Sequence, residues 1–336
     1  MDVFLIAVIA VGFYVAWNIG ANDTANAMAT SVGSGVLTIR QAVVRDAVLN
    51  FAGAVLFGRF VAATIGKGIV DLPKIDEPHV VGIGALSAAI AAGIWITIAS
   101  WKRLPVSTTH SVVGAMLGFG LVTVGSGNIH WGVIRRIILS WIISPVLGAI
   151  GGFVIFTLIK RYVFSRTDDL GKVEKVFGRL QILAGMFVSF SVGSNDVANA
   201  VAPIVVILEY GGGKEVSAIP IWILGLGGFG IVVGTLTWGY KVIETVGRRL
   251  TEITPSRGFA AEFSAASIVL TASYLGLPVS TTHTVVGAVI GVGFAKGAKA
   301  LDLAIIYRIL ASWLLTVPAA ALFTMGIFRG LGYFVL

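Results

Sequence analysis

The hexapeptide Pro105-Val-Ser-Thr-Thr-His110 recurs letter for letter as Pro278-Val-Ser-Thr-Thr-His283. A second motif, Gly20-Ala-Asn-Asp-Thr-Ala-Asn-Ala27, is matched by Gly193-Ser-Asn-Asp-Val-Ala-Asn-Ala200, and both pairs are separated by 173 positions. Residues 105–120 and 278–293 are identical at 12 of 16 positions. Two separate matches at one spacing indicate two homologous halves. We place the first repeat at residues 1–159, a central segment at 160–179 and the second repeat at 180–336.

The composition of the chain indicates that it lies in a lipid bilayer. Its 336 residues are 57% hydrophobic and 12% charged, with a mean hydropathy of +0.95, whereas a soluble domain carries about 25% charged residues. Charge-free runs such as Val80–Trp101, Leu104–Ile134 and Phe263–Ala295 are long enough to cross the hydrocarbon core, which takes about 20 apolar residues in a helix. We therefore predict an all-α polytopic membrane protein.

The net charge of +8 does not indicate a nucleic-acid partner, because the basic residues lie at the ends of apolar runs. The central segment, residues 160–179, carries six basic and three acidic residues. Lys and Arg in short loops favour the cytoplasmic side, so we predict a multi-pass protein whose central segment is cytoplasmic. The chain has no cysteine, which excludes disulfides and thiolate-ligated metals.

The first motif places a carboxylate inside apolar surroundings in each half, at Asp23 and at Asp196. A charged group within the membrane is unfavourable and usually belongs to an ion or substrate pathway. Asparagines spaced four apart lie on one helical face beside each Asp; they are Asn22, Asn26, Asn195 and Asn199. Carboxylate and amide oxygens suit an alkali cation. The alternative is that the asparagines only join helices by hydrogen bonds.

The second motif predicts a broken helix in each half. Proline biases the residue before it away from the helical conformation, so we expect a break at Leu104-Pro105 and at Leu277-Pro278. A new helix would then begin at the hydroxyl residues Ser107, Thr108 and Thr109, and again at Ser280, Thr281 and Thr282. A helix N-terminus attracts anions, and two of them could converge on one anion between the repeats. The alternative is that the hydroxyls only cap a broken helix.

Both motif pairs closely resemble those of the inorganic phosphate transporter (PiT) family, and the resemblance covers essentially the whole chain. It implies a phosphate symporter coupled to sodium or protons, with two inverted repeats, about 12 transmembrane helices, two re-entrant helical hairpins and a homodimer. We expect it in the cell (plasma) membrane. Carried over by position, the phosphate-binding residues are Ser107, Thr108, Thr109, Ser280, Thr281, Thr282, Asp23 and Asp196. The sodium-binding residues are Asn22, Asp23, Asn26, Ser107, Asn195, Asp196, Asn199 and Ser280.

The resemblance has one departure. Some members of the family carry an acidic residue where Asn50 aligns, and we expect its counterpart in the second half to be Glu262.

Neither motif contains Lys or Arg, although arginine forks commonly hold phosphate. Cations bound at Asp23 and Asp196 would neutralise the carboxylates and attract the anion, and about two cations suit two Asp sites. Sodium fits the oxygen ligands and is the one metal that we expect; no organic cofactor is implied. A protonated Asp would suit a proton-coupled transporter, so this alternative stays open.

Four further residues are candidates for a supporting role. His110 and His283 end the second motif and either titrate or, as we predict, orient the hairpin by hydrogen bonds. Gln181 and Glu262 are polar residues near or within apolar segments and are candidates to reach the site. Transport of another oxyanion such as sulfate and a passive channel are the remaining alternatives. The sequence has no visible nucleophile–base pair, so we predict no enzyme activity.

Overall fold

The computed structural model describes residues 3–75, 77–102, 106–211, 219–249, 253–297 and 303–335. These residues are helical almost throughout, apart from one isolated antiparallel bridge between Val70 and Ile129. The α-helices in these ranges are α1 Val3–Gly33, α2 Ile39–Phe57, α3 Arg59–Gly68, α4 Pro78–Trp101, α5 Thr108–Thr123, α6 Trp131–Tyr162, α7 Leu170–Gly211, α8 Ile221–Gly234, α9 Tyr240–Arg249, α10 Pro255–Tyr274, α11 Thr281–Lys296 and α12 Leu303–Val335. A π-helix, Thr235–Gly239, joins α8 to α9.

Six segments of the described chain are long and apolar enough to cross a membrane: Ile6–Gly33, Pro78–Trp101, Trp131–Arg166, Leu170–Leu208, Ile221–Glu244 and Trp313–Tyr333. Helix α6 also exposes a continuous apolar face, made by Ile142, Ile143, Val146, Leu147 and Ile150. Such a face is unfavourable in water and suits hydrocarbon. The prediction of an all-helical integral membrane protein is therefore confirmed. The expected number of about 12 spanning helices stays a prediction.

Each Ser-Thr-Thr motif begins a helix, as the sequence predicts. Ser107 is the N-cap of α5, and its Oγ accepts a hydrogen bond from the His110 N–H at 3.2 Å. Ser280 caps α11 in the same way through the His283 N–H, again at 3.2 Å. Both caps have extended backbone, which is typical of the residue before a helix. Leu277 and Pro278 lie between α10 and α11, whereas Leu104 and Pro105 lie outside the described residues.

The two motif-bearing long helices, α1 and α7, pack antiparallel. Gly12, early in α1, faces Ile204, late in α7, and Gly185, early in α7, faces Ser31, late in α1. Because Asp23 of α1 and Asp196 of α7 are repeat counterparts, these two equivalent helices run in opposite directions where they meet.

Helices α5 and α11 each pack against a helix of the opposite half. Helix α5 of the first half packs on α12 of the second, where Gly114 lies against Val317. Helix α11 of the second half packs on α6 of the first, where Gly287 lies against Pro145. Glycine at these positions lets the two backbones approach closely, as is common between membrane helices. Each Ser-Thr-Thr helix is thus supported by the opposite half.

The predicted correspondence between Asn50 and Glu262 is wrong. A Cβ on Gly193 would lie 2.0 Å from the carbonyl oxygen of Asn50, and a Cβ on Gly20 would lie 2.0 Å from that of Ile231. Since Gly20 and Gly193 are counterparts, the counterpart of Asn50 is Ile231. Helices α2 and α8 therefore correspond at a spacing that differs from the 173 positions between the motifs. The constant spacing of the motifs gives no sign of this difference.

Glu262 has its own counterpart in the first half. It lies on α10, eleven positions before Ser273, which accepts a hydrogen bond from Asn195. Ser100 on α4 accepts the equivalent bond from Asn22, so α4 corresponds to α10. Counting back along α4 by the same distance reaches an alanine, Ala89. The first half therefore has no acidic residue at the position of Glu262.

Candidate functional site between the two halves

The residues of both motif pairs meet at the interface between the halves. Asp23 lies within α1 and Asp196 within α7, and their exposed fractions are 1% and 0%. The other predicted site residues are also buried, except Asn26, which is partly buried; the buried set is Asn22, Asn195, Asn199, Ser107, Thr108, Thr109, Ser280, Thr281 and Thr282. Polar groups in such a place need partners, and the motifs supply them to one another.

Within each half, the carboxylate binds the start of its own broken helix. Thr108 Oγ1 donates a hydrogen bond to Asp23 Oδ2 at 3.0 Å. Thr281 Oγ1 donates to Asp196 Oδ2, also at 3.0 Å. The second carboxylate oxygen of Asp23 accepts from Asn26 Nδ2 at 3.0 Å. The two motifs of each half, which begin 85 positions apart in sequence, therefore form one local cluster.

Asparagines join the two clusters across the repeat interface. Asn26 Nδ2 of the first half donates to Thr282 Oγ1 of the second at 2.8 Å. Asn199 Nδ2 of the second half donates to Thr109 Oγ1 of the first at 3.2 Å. These are equivalent bonds in the two halves, so the four motif copies form a single cluster with approximate two-fold symmetry.

Asn22 and Asn195 connect the site to the helices that precede each break. Asn22 Nδ2 donates to Ser100 Oγ at 2.8 Å, and Asn195 Nδ2 donates to Ser273 Oγ at 3.0 Å. Sequence reasoning missed both serines, although they are separated by the same 173 positions as the motifs. The same spacing could have identified them.

Some oxygens of the site have no protein partner. Asn195 Oδ1 and Asn199 Oδ1 are buried acceptors without a hydrogen bond among the described residues. A buried unpaired carbonyl oxygen is unfavourable in a protein. Two amide oxygens beside a carboxylate supply the hard ligands that an alkali cation accepts, so these atoms fit the sodium ligands that the sequence predicts.

Two helix N-termini also lie in this cluster. In α5 the Ser107 cap takes the N–H of His110, and the Ser107 carbonyl accepts the N–H of Ser111. The N–H groups of Thr108 and Thr109 belong to the first turn, which has no acceptor within its own helix. Helix α11 repeats the arrangement, so two positive helix ends lie close to the two carboxylates.

His110 and His283 face each other between the helix starts. Their ring centroids lie 4.4 Å apart at an interplanar angle of 78°. His110 also packs on Trp141 of α6 at 3.7 Å, and His283 stacks on Trp313 of α12 at 3.3 Å. The ring nitrogens of both histidines have no hydrogen-bond partner among the described residues. Ring packing, and not the predicted hydrogen bonds, therefore holds these two side chains in place.

Gln181 and Glu262 form a cluster of their own. Glu262 Oε1 accepts hydrogen bonds from Thr30, from Ser31 at 2.9 Å and from Gln181 at 3.4 Å. Ser34 Oγ donates to Gln181 Oε1 at 2.7 Å. The hydrogen bonds found in the described chain do not connect these side chains to the motif residues. The expectation that they reach the site is corrected accordingly, because α1 places Thr30 and Ser31 about two helical turns beyond Asp23.

One buried carboxylate was missed by sequence reasoning. Asp46 lies inside α2 with an exposed fraction of 0%. It accepts hydrogen bonds from Ser189 Oγ at 2.6 Å and from Thr235 Oγ1 at 3.4 Å. In the sequence it follows Arg45 directly, so the pair resembles a membrane edge. Its only sequence signal is that the surrounding residues other than Arg45 are apolar.

Comparison with known proteins gives a consistent result. The profile of the phosphate transporter family matches residues 19–172 and again residues 165–324. A Pyrococcus furiosus protein named as a phosphate permease is 40% identical, and the alignment covers 98% of this chain and 97% of that protein. The chloroplastic inorganic phosphate transporter 2-1 of Arabidopsis thaliana is also 40% identical, over 94% of this chain and 70% of its own length.

A solved structure shares the whole fold. It is described as the sodium-dependent phosphate transporter, has 41% sequence identity and superposes with a TM-score of 0.92. The match covers 100% of both chains. The double match of the family profile agrees with the duplication that the two motif pairs indicate.

Proposed function

Because the chain belongs to the phosphate transporter family, we propose that it carries inorganic phosphate across a membrane by symport with sodium ions. The observation that supports this most directly is the joining of the four motif copies. Two buried carboxylates and two helix starts, one of each from each half, are linked by hydrogen bonds within and between the halves. Such a site between repeats is typical of secondary transporters.

We assign the cations to the Asp side of this site. Asp23 and Asp196 would each hold one sodium ion, with the amide oxygens of Asn195 and Asn199 and the hydroxyls of Ser107 and Ser280 among the ligands. Sodium accepts this all-oxygen set. The bound charges would offset the two carboxylates, which otherwise repel a phosphate anion. Binding of sodium and phosphate would therefore be mutually favourable.

We assign phosphate to the hydroxyl side. The hydroxyls of Thr108, Thr109, Thr281 and Thr282 and the N–H groups of the first turns of α5 and α11 would donate to its oxygens. Donors at a helix N-terminus hold phosphate without a basic side chain. This explains how motifs that lack Lys and Arg could still bind the anion.

We further propose that the halves are inverted repeats and that α4–α5 and α10–α11 are re-entrant hairpins. The antiparallel packing of α1 on α7 supports the inversion. Alternating access would follow from movement of one part of the repeat structure relative to the other around the site. The charge bias of the central segment supports its cytoplasmic position. The plasma membrane and a homodimer follow from the family resemblance.

Uptake of labelled phosphate into proteoliposomes tests the proposal. We expect an inward sodium gradient to drive saturable uptake and an inward proton gradient alone to fail. Uptake driven by protons without sodium would replace sodium symport with proton symport. Uptake indifferent to both gradients would indicate a passive channel. Excess sulfate should leave uptake unchanged; strong competition would indicate a broader oxyanion transporter.

Neutral variants test the cation assignment. Asp23→Asn and Asp196→Asn keep the size of each side chain and remove its charge, so each should abolish sodium-dependent uptake while the protein still folds. Asp168→Asn, at an exposed position of the central segment, is the matched control and should transport like the wild type. Normal uptake in either buried variant would refute the assignment.

A further inference from the structure

A cavity of about 240 Å³ lies next to the turn that leads into α11. It is bounded by the start of α6, by the end of α3 and by the turn after α10. Liquid water occupies about 30 Å³ per molecule, so this volume holds about eight waters, which is room for a small hydrated oxyanion. The cavity is thus large enough for such an anion and lies beside a helix start that we assign to phosphate.

The turn at residues 276–279 lies between this cavity and the site, and hydrogen bonds hold it in place. Ser140 Oγ on α6 donates to the Pro278 carbonyl at 3.2 Å, and Thr64 Oγ1 on α3 donates to the Gly276 carbonyl at 2.7 Å. On the other side of the same turn, Thr109 Oγ1 donates to the Val279 carbonyl at 3.1 Å. Residues 276–279 therefore separate the cavity from the motif residues by one thickness of backbone.

The cavity contains one basic side chain among its lining residues, Arg136. It lies one helical turn before Ser140 on α6. In the part of the chain that the structure describes, no carboxylate lies within salt-bridge distance of Arg136. Its neighbour Arg135 is also exposed but does not line the cavity. Among the described residues, no Lys or Arg side chain donates a hydrogen bond to the site itself. Arg136 is therefore the basic side chain of this cavity that an anion would meet before it reaches the site.

The position of α6 indicates the side to which this cavity belongs. The helix runs for 32 residues, from Trp131 to Tyr162, which is about 48 Å at 1.5 Å per residue and exceeds the bilayer core. Its last residues adjoin the central segment, which we place in the cytoplasm. Arg136, near its first residues, therefore lies toward the opposite, external face.

We propose that this cavity is the external entrance for phosphate and that Arg136 is its anion-capturing residue. This inference rests on the proposed function, since phosphate is the anion in question. A positive charge in a low-dielectric cleft raises the local concentration of anions and their rate of arrival. Arg136 then acts on capture and leaves the later transport steps unchanged.

Phosphate uptake by variants tests the capture role. Arg136→Gln should raise the KM for external phosphate about 3- to 10-fold at low ionic strength, with a smaller rise at high salt, because one screened charge is lost. The maximal rate should stay within about twofold, and Arg136→Lys should restore most of the affinity. Arg135→Gln is the matched control and should equal the wild type. An unchanged KM in Arg136→Gln, or an equal change in Arg135→Gln, would overturn the proposal.

A thiol-labelling experiment tests whether the cavity is open to the outside and attracts anions, independently of transport activity. The chain has no cysteine, so Val133→Cys puts a single thiol in the cavity wall. We expect impermeant thiosulfonates added outside to react with it, and the anionic reagent to react faster than the cationic one after correction for their rates with a free thiol. The preference should disappear in Val133→Cys, Arg136→Gln. A thiol that neither reagent reaches, or one without charge preference, would contradict the proposal. Wild-type protein that fails to move phosphate would refute only the proposed function.

Discussion

Thr281→Val removes one hydroxyl from the centre of the site and keeps the shape of the side chain. Thr281 Oγ1 lies 3.0 Å from Asp196 Oδ2, and both residues are at most 2% exposed. A hydrogen bond to a charged partner contributes about 1.5–3 kcal/mol, whether the partner is Asp196 or a bound phosphate. At 1.4 kcal/mol per factor of ten, uptake below saturation should fall about 10- to 100-fold.

The assay is the initial rate of phosphate uptake into proteoliposomes at sodium and phosphate concentrations below saturation. Thr284→Val is the matched control. It makes the same chemical change one turn further along α11, where Thr284 Oγ1 donates to the Ser280 carbonyl at 2.9 Å and touches no motif carboxylate. We expect uptake by this variant to stay within about threefold of the wild type, since only a neutral bond is lost.

The approximate symmetry of the site makes the prediction stricter. Thr108 Oγ1 contacts Asp23 Oδ2 at the same 3.0 Å, so Thr108→Val should reduce uptake to a similar degree. Wild-type uptake in Thr281→Val, or an equal loss in Thr284→Val, would refute the reasoning. An effect confined to one half would show that the two clusters do not act as one site.

Two further predictions concern stability and use thermal unfolding in detergent. Gly20→Ala should destabilise the protein by at least about 1–3 kcal/mol, because the new Cβ would lie 2.0 Å from the Ile231 carbonyl oxygen. The control is Gly127→Ala, whose new Cβ meets no atom within 4 Å and which should not change stability. Equal melting temperatures for the two variants would contradict the close packing of α1 on α8. Ser256→Ala should lower stability by about 1.5–3 kcal/mol, because Ser256 Oγ donates to the carboxylate oxygen Glu174 Oε1 at 2.8 Å and ties the start of α10 to α7. The control is Ser267→Ala, whose hydroxyl bonds only its own helix. A loss of stability as large in the control would rule out the tie.

The helix starts were predictable from sequence because the signals are local. Proline restricts the residue before it, and a following serine caps the first turn, so the break and the new helix depend on adjacent residues alone. The burial of Asp23 and Asp196 was predictable for a related reason. Both lie in apolar runs that are long enough to cross a bilayer. A residue in the middle of such a run has few places to lie other than within the membrane.

The partners of these residues were not predictable in the same way. Asn26 and Asn199 were placed beside their own Asp residues, and each also bonds a threonine of the opposite half. Which threonine is contacted depends on how α11 and α5 cross the other repeat. The same applies to Gln181 and Glu262, which pair with each other and with α1 hydroxyls instead of reaching the site.

By itself, the sequence determined that the chain is a duplicated, helical membrane protein and where its broken helices begin, since composition, repeat spacing and capping act over short distances along the chain. The tertiary structure alone decided that α5 and α11 each pack against a helix of the opposite half, that Asn50 corresponds to Ile231, and that Asp46 is buried among hydroxyls. The physical reason is that these features depend on which helix faces meet. In an apolar helix with small residues on several sides, the pattern of residues does not specify the face that packs.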